Sequence, residues 1–181
     1  FDQGNAIVDL GRAEAIMPRE EQVQRERYRV NQRLTFYIAE IRQTERGAQI
    51  IVSRSRPELV EEIFRREVPE IASGAVEVKG IAREGGSRTK IAVYSKQTGV
   101  DPVGSCVGQK GVRVQAVISE IGEERIDVIQ FSDDTAKFIA ASLAPAKGVL
   151  VDLNKEEHSA LVTCPTDQLS LAIGKDGQNV R

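Results

Sequence analysis

Val107-Gly108-Gln109-Lys110-Gly111-Val112-Arg113-Val114 returns later in the chain as Ile173-Gly174-Lys175-Asp176-Gly177-Gln178-Asn179-Val180. Gly108 maps onto Gly174 and Asp101 onto Asp167, both at an offset of 66 residues. The surroundings repeat as well. A helix, two strands, a short helix and the glycine loop are expected in that order over 57–111 and again, in slightly shorter form, over 133–177. Recurrence of a motif together with its flanking order is far harder to reach by chance than one glycine pair. The repeat sets the fold class of the larger part of the chain: α+β, with two small units in tandem. The second copy stops at Arg181, ahead of the second helix and closing strand of the first, so the sequence reads as a fragment with its last unit truncated.

Working outward from the first loop, Asp101-Pro102 opens a short helix, and beyond the loop Val114, Val117, Ile118 and Ile121 share one helical face until Gly122 stops it. Ile126, Val128 and Ile129 form a strand. Ser132-Asp133-Asp134 caps a helix carrying Ala136, Ile139, Ala140 and Leu143, which Pro145 breaks. Upstream, Ser55-Arg56-Pro57-Glu58 has the pattern of a capping box with proline in the first turn. Leu59, Val60, Ile63, Phe64 and Val68 then keep helical spacing to about Pro69. Ala75-Val76-Glu77-Val78 and Lys90-Ile91-Ala92-Val93-Tyr94 are strands joined at Gly85-Gly86.

Residues 1–54 have a different period. Ala6-Ile7-Val8-Asp9-Leu10 ends at Gly11, and a short run at Ala15-Ile16-Met17 stops at Pro18. Leu34, Phe36 and Ile38 alternate with Thr35 and Tyr37, and Arg46-Gly47 turns the chain into Gln49-Ile50-Ile51-Val52-Ser53. Short strands separated by turns point to a small barrel or sandwich. Phe1-Asp2-Gln3-Gly4 reads as the end of a hairpin, so at least one strand is expected upstream.

A G-x-x-G loop between two helices has a specific chemical use. Glycine lets the backbone come close to a phosphate, and the following helix offers free N–H groups at its positive end. Lys110 and Arg113 add charge beside the first loop. This is the arrangement by which a KH module clamps about four nucleotides of single-stranded nucleic acid. A lone G-x-x-G is better explained as an ordinary helix–helix turn. Two copies, each after a helix–strand–strand unit and each flanked by aliphatic residues, favour the clamp.

Other chemistries lack support. No G-x-x-x-x-G-K-[ST] occurs, and neither loop directly follows a strand, so a nucleotide-hydrolysing reading loses its main support. Cys106 and Cys164 are neither a disulfide framework nor a metal box, and a single histidine, His158, argues against a histidine-rich site. Cys106 reads as a core residue rather than a partner of His158. Asp133-Asp134 is explained by capping and Glu123-Glu124 as a solvated turn. Neither a catalytic residue nor a metal or cofactor site is expected. The net charge is only −2, so nucleic-acid binding has to come from local geometry rather than bulk field. With aromatics at 4% and no Trp, it does not rest on a large stacking platform. No run approaches the length of a membrane helix and no signal peptide opens the chain, which reads as a soluble protein of a reducing compartment.

The order barrel, KH, KH resembles the NusA family of bacterial transcription elongation and termination factors. The resemblance is carried by Ile7-Val8-Asp9-Leu10-Gly11, Gln49-Ile50-Ile51-Val52-Ser53-Arg54, Glu67-Val68-Pro69-Glu70-Ile71, Asp101-Pro102-Val103-Gly104, Gly111-Val112-Arg113-Val114-Gln115-Ala116-Val117 and Gln168-Leu169-Ser170-Leu171-Ala172-Ile173-Gly174-Lys175. It implies a partial five-stranded OB-type barrel of the ribosomal S-one kind over 1–54. It further implies a type II KH domain over 55–131 and a second, incomplete one over 132–181, with helices packed on a small mixed sheet. It implies a cytoplasmic, non-enzymatic protein without cofactors or a membrane partner. Its partners would be single-stranded RNA of the nascent transcript, RNA polymerase (mainly through a helical domain absent here) and other antitermination factors. The RNA-binding residues implied are Val107, Gly108, Gln109, Lys110, Gly111 and Arg113 in the first KH, with Val112 and Val114 as further groove candidates. In the second they are Ile173, Gly174, Lys175, Gly177, Asn179 and Arg181, with Val180 beside them. Arg12 and Arg54 are the candidates on the barrel. Pro18 stands near the position where such barrels carry a histidine, and Asp176 puts a carboxylate where a phosphate would run.

Three other readings differ in testable features. A phosphorolytic ribonuclease tail, as in polynucleotide phosphorylase, would place a single KH before the barrel. A ribosomal KH protein would carry one KH and be far more basic. A purely structural module would not bind single-stranded RNA.

Overall fold

Proline and short polar side chains place the helix boundaries. The structure, a computed structural model, describes residues 4–45, 47–122 and 124–181. The expectations for Phe1-Asp2-Gln3, for Arg46 in its turn and for Glu123 lie outside the described residues. The elements run β1 (Ala6–Asp9), β2 (Glu14–Met17), β3 (Tyr37–Thr44), β4 (Gly47–Ser53), α1 (Pro57–Glu67), α2 (Pro69–Ala72), β5 (Glu77–Glu84) and β6 (Arg88–Tyr94). They continue with α3 (Pro102–Val107), α4 (Val112–Ile121), β7 (Arg125–Gln130), α5 (Thr135–Ser142), β8 (Leu150–Asn154), β9 (Ser159–Thr163) and α6 (Leu169–Ile173).

The first four strands form one sheet in the order β1-β2-β4-β3, antiparallel except for the β2–β4 pair. Ala6, Ala15, Met17 and Val52 make its core, with Tyr28 and Phe36 packed on them. No closed barrel and no fifth strand of this sheet appear among the described residues, so the partial OB-type barrel expected here is not confirmed. The strand expected from Leu34 begins only at Tyr37. The polar groups of Thr35 are taken elsewhere: its carbonyl accepts from Arg54 Nη1 at 2.7 Å and its hydroxyl donates to Glu120 Oε2 at 2.6 Å.

α1 buries Leu59, Val60, Ile63 and Phe64, the stripe predicted by their spacing. Its cap differs from expectation. Arg56, not Ser55, is the N-cap, and no side chain of a capping box bonds there. Ser53 Oγ instead accepts the N–H groups of Ser55 and Arg56, each at 3.1 Å. The helix ends at Glu67 because Val68, the residue before Pro69, takes extended backbone. β5, β6 and β7 form a mixed sheet in that order, β5–β6 antiparallel and β6–β7 parallel. α1, α3 and α4 close over it with Ile91, Val93, Cys106, Val117 and Ile121 in one core. Glu124 is not solvated: its side chain is fully buried, paired with Arg83 and accepting from Gly86 N–H and the Thr89 hydroxyl.

In the second unit Asp134 caps α5, its carboxylate accepting from the N–H groups of Ala136 and Lys137. β8 and β9 form a hairpin. Leu143 and Ala172 are buried, whereas Leu150 and Leu161 remain 70% and 67% exposed.

Two basic side chains tie the units together. Arg54 joins the first sheet to α4, reaching Glu26, Thr35 O and Glu120 O. Lys90 of β6 donates to Ser142 O and Asn179 O, both at 2.6 Å. Burial of the ammonium pulls its pKa down.

Candidate nucleic-acid interface

The two glycine loops have the same backbone. Gly108 has φ 74° and ψ 173°, and Gly174 has φ 75° and ψ 168°. Lys110 and Asp176 are left-handed at φ 52° and 54°, and Gly111 and Gly177 at 79° and 74°. A 3-10 turn follows the first glycine in each copy, closed by Gly111 N–H to Gly108 O at 3.1 Å and Gly177 N–H to Gly174 O at 3.2 Å. Two consecutive positive-φ residues, the second a glycine, turn each loop sharply and leave Gln109, Lys110, Lys175 and Asp176 exposed at its tip.

The first loop is anchored at both ends. Asp101 caps α3 by accepting from Val103 N–H at 3.1 Å. Cys106, at its far end, is sealed in the core, and burial pushes its thiol up to about 12. Beyond the loop, Val112 is 64% exposed while Val114 leans on the core, and before it Val107 is half-buried. The second loop has Ile173 and Val180 exposed beside it, at 43% and 56%. Arg181 Nη2 donates to Asp176 O, drawing a positive charge toward the loop that carries the carboxylate.

Two residues expected at an RNA surface are inside the protein. Arg54 is 1% exposed, its guanidinium consumed by Glu26 and two backbone carbonyls. Asn179 is also 1% exposed. Its Nδ2 donates to Leu143 O, Leu171 O and Ala172 O, and its Oδ1 has no protein partner. Both act as ties between segments rather than as surface contacts. Arg113 is half-buried and paired with Glu70 at 2.9 Å. Arg12 is exposed on the turn after β1.

Sequence reasoning passed over Arg88 and Arg125. Together with Lys175, Gly174 and Leu171 they line a cleft of about 560 Å³ between β7 and the second loop. Arg88 is engaged by Asp127 at 2.6 Å, whereas Arg125 is exposed at the start of β7. β7 is an edge strand of its sheet, so its outer backbone groups face this side unpaired by another strand. The signal for these residues is topological: only the sheet order brings β7 beside a loop nearly 50 residues away. Among the described residues no group of three or more His, Cys, Asp or Glu side chains is placed to hold a metal ion, and no helix is long and apolar enough to cross a membrane.

Comparison with known proteins matches two family models to the chain. Residues 54–131 match the NusA-like first KH domain and residues 135–181 the NusA-like second KH domain. The chain is 48% identical over 174 residues to the transcription termination/antitermination protein NusA of Halalkalibacterium halodurans, covering 96% of this chain and 46% of that protein. It is 46% identical over 180 residues to the Thermus thermophilus protein of the same name, covering 99% and 46% respectively. Against that of Bacillus subtilis it is 48% identical over its full 181 residues and 49% of the relative. The chain thus spans about half the length of the curated relatives it matches.

Proposed function

The chain belongs to the NusA family, and from that premise we propose that it is the part of a bacterial transcription factor that grips single-stranded RNA. The observation that carries this reading is the pair of G-x-x-G loops with one backbone geometry, each presenting two exposed side chains at its tip and aliphatic residues beside it. A clamp of this kind holds an extended sugar–phosphate backbone and needs unstacked bases alongside. On this reading the exposed Val112 lines the first groove, and Ile173, Val180 and the cleft beside β7 line the second. Gly108, Gln109, Lys110 and Gly111, with Gly174, Lys175, Gly177 and Arg181, form the proposed contact set.

The finer parts of the reading rest on the family. Residues 1–54 are read as an S-one-type OB module, 55–131 and 132–181 as type II KH domains. The protein is read as non-enzymatic and cytoplasmic. It would modulate pausing, termination and antitermination by RNA polymerase together with other antitermination factors, engaging the nascent transcript. The ribonuclease-tail alternative is disfavoured by the order, since two KH units follow the first sheet instead of one preceding it.

The test is direct. Labelled unstructured RNA is expected to bind more tightly than a hairpin stem of matched length. The logarithm of affinity should fall shallowly with the logarithm of salt, as for about two to four neutralised phosphates. Equal affinity for stem and single strand contradicts the proposal.

A further inference from the structure

The first glycine of each loop is covered by the side chain five residues on. A Cβ built on Gly108 would lie 2.8 Å from Arg113 Cγ, and one on Gly174 would lie 2.8 Å from Asn179 Cβ. Arg113 and Asn179 are related by the same offset of 66 that relates the glycines. They also make the same bond. Arg113 Nη1 donates to Ser105 O at 2.6 Å, and Asn179 Nδ2 donates to Leu171 O at 3.1 Å. Ser105 and Leu171 are themselves equivalent under that offset.

Both carbonyls belong to the last turn of the helix that enters the loop, where the intrahelical ladder has run out of donors. A side chain from beyond the loop supplies the missing donor. It thereby bolts the entry of each loop to its exit across the base of the turn. Two chemically unlike residues, a long cation and a short amide, converge on one geometric task. In neither case is the donor spare. Arg113 Nη1 is shared with Glu70 Oε2, which balances its charge, and Asn179 is withdrawn from solvent and also held at Leu143 O and Ala172 O.

We infer that Arg113 and Asn179 are positioning residues, latches that hold the two G-x-x-G loops in their binding-ready shape without touching the nucleic acid. The inference deepens the RNA-binding reading and rests on it for its functional consequence. Its structural content stands separately. Pre-forming the loop removes the ordering cost that a loose loop would meet at binding.

The experiment combines amide hydrogen exchange of the free protein with RNA binding over a salt series. Arg113→Met keeps the aliphatic stem over Gly108 and removes the donors. Faster exchange is expected at the Gly111 amide, and RNA affinity is expected to fall about fivefold to tenfold. The slope of log affinity against log salt should stay unchanged. Arg113→Lys, which can still reach the Ser105 carbonyl, should restore protection. Asn179→Leu should speed exchange at Gly177 and leave Gly111 as it was. A direct phosphate contact would instead lower the salt slope by about one with exchange unaltered, and that result overturns the proposal. So does unaltered exchange in Arg113→Met and Asn179→Leu alike. If the wild-type chain binds no RNA at all, the RNA-binding reading fails, while the exchange data still decide whether the latches hold the loops.

Discussion

Arg83 and Glu124 form a bidentate ion pair closed to solvent, Nε to Oε1 at 2.9 Å and Nη2 to Oε2 at 3.0 Å, with side chains 1% and 0% exposed. Both partners make further bonds. Arg83 Nη1 donates to Arg56 O at 2.6 Å, and the carboxylate accepts from Gly86 N–H at 2.7 Å and from the Thr89 hydroxyl. The pair joins the β5–β6 turn to the start of β7 and to the entry of α1. Removing one partner leaves the other charged and buried without compensation. Glu124→Ala is therefore expected to lower stability by about 3–5 kcal/mol. Arg83→Met combined with Glu124→Leu should cost clearly less than Glu124→Ala alone. Urea denaturation followed by far-ultraviolet circular dichroism measures both, and an equal or larger loss for the double change would contradict the argument.

The two glycines of the first loop are not equivalent. Gly108, at φ 74° and ψ 173°, lies in backbone space that is essentially glycine-only, whereas Gly111, at φ 79° and ψ 13°, is left-handed helical. A Cβ at Gly108 also meets Arg113, while one at Gly111 meets only Val114 Cγ1 at 3.8 Å. Gly108→Ala should cost about 1–3 kcal/mol from backbone strain alone and displace the arginine that spans the loop. Gly111→Asn should be milder, because Asn tolerates the left-handed region. Thermal melts and RNA anisotropy should rank the two in the same order. A greater loss for Gly111→Asn would reverse the assignment.

Much of this arrangement is written locally, and what is not has a common cause. Periodic apolar spacing gave away α1 and α4, Asp101 and Asp134 announced their helices, and the repeated glycines marked both loops. Each of those signals acts within a turn or two of chain. Arg54, Glu124 and Asn179 read as surface residues because their partners are 28 to 66 residues away or lie on backbone carbonyls that have no sequence signature. The late start of β3 has the same origin, since Thr35 is held by Arg54 and Glu120 from other elements. The cleft beside β7 was illegible because it depends on which strand ends at the sheet edge.

Cys106 links the core to pH. An unfolded thiol ionises near about 8.5, whereas burial holds the Cys106 thiol protonated up to about 12. Between those values the unfolded state has released its proton and the folded state has not, so stability falls as pH rises. The slope approaches about 1.4 kcal/mol per pH unit once the unfolded thiol is fully ionised. Cys106→Ala should flatten the wild-type decline over about pH 9 to 10.5, as measured by urea midpoints of both proteins across that range. In the native state Cys164, which is partly exposed, should alkylate at neutral pH while Cys106 does not. Parallel pH profiles for the two proteins would count against this account.

On the proposed binding mode, the charge at the loop tips ranks the two copies. Lys110 and Asp176 occupy the same left-handed position, at φ 52° and 54°. The second loop therefore demonstrates that an aspartate fits this backbone, and changing both Gln109 and Lys110 to Asp should leave the first loop folded. Two carboxylates would then face the path of the RNA backbone, and affinity should fall at least about tenfold, or 1.4 kcal/mol. Lys175→Asp places a carboxylate next to one already present, beside an Arg181 guanidinium bonded to the Asp176 carbonyl. It removes one positive charge and should cost less. Anisotropy with a labelled single-stranded RNA measures both, with circular dichroism melts confirming that the fold is kept. If the second-loop change is the more damaging, the ranking of the two modules is reversed. If neither change weakens binding, the RNA does not run along these loops, and their matched geometry serves the fold alone.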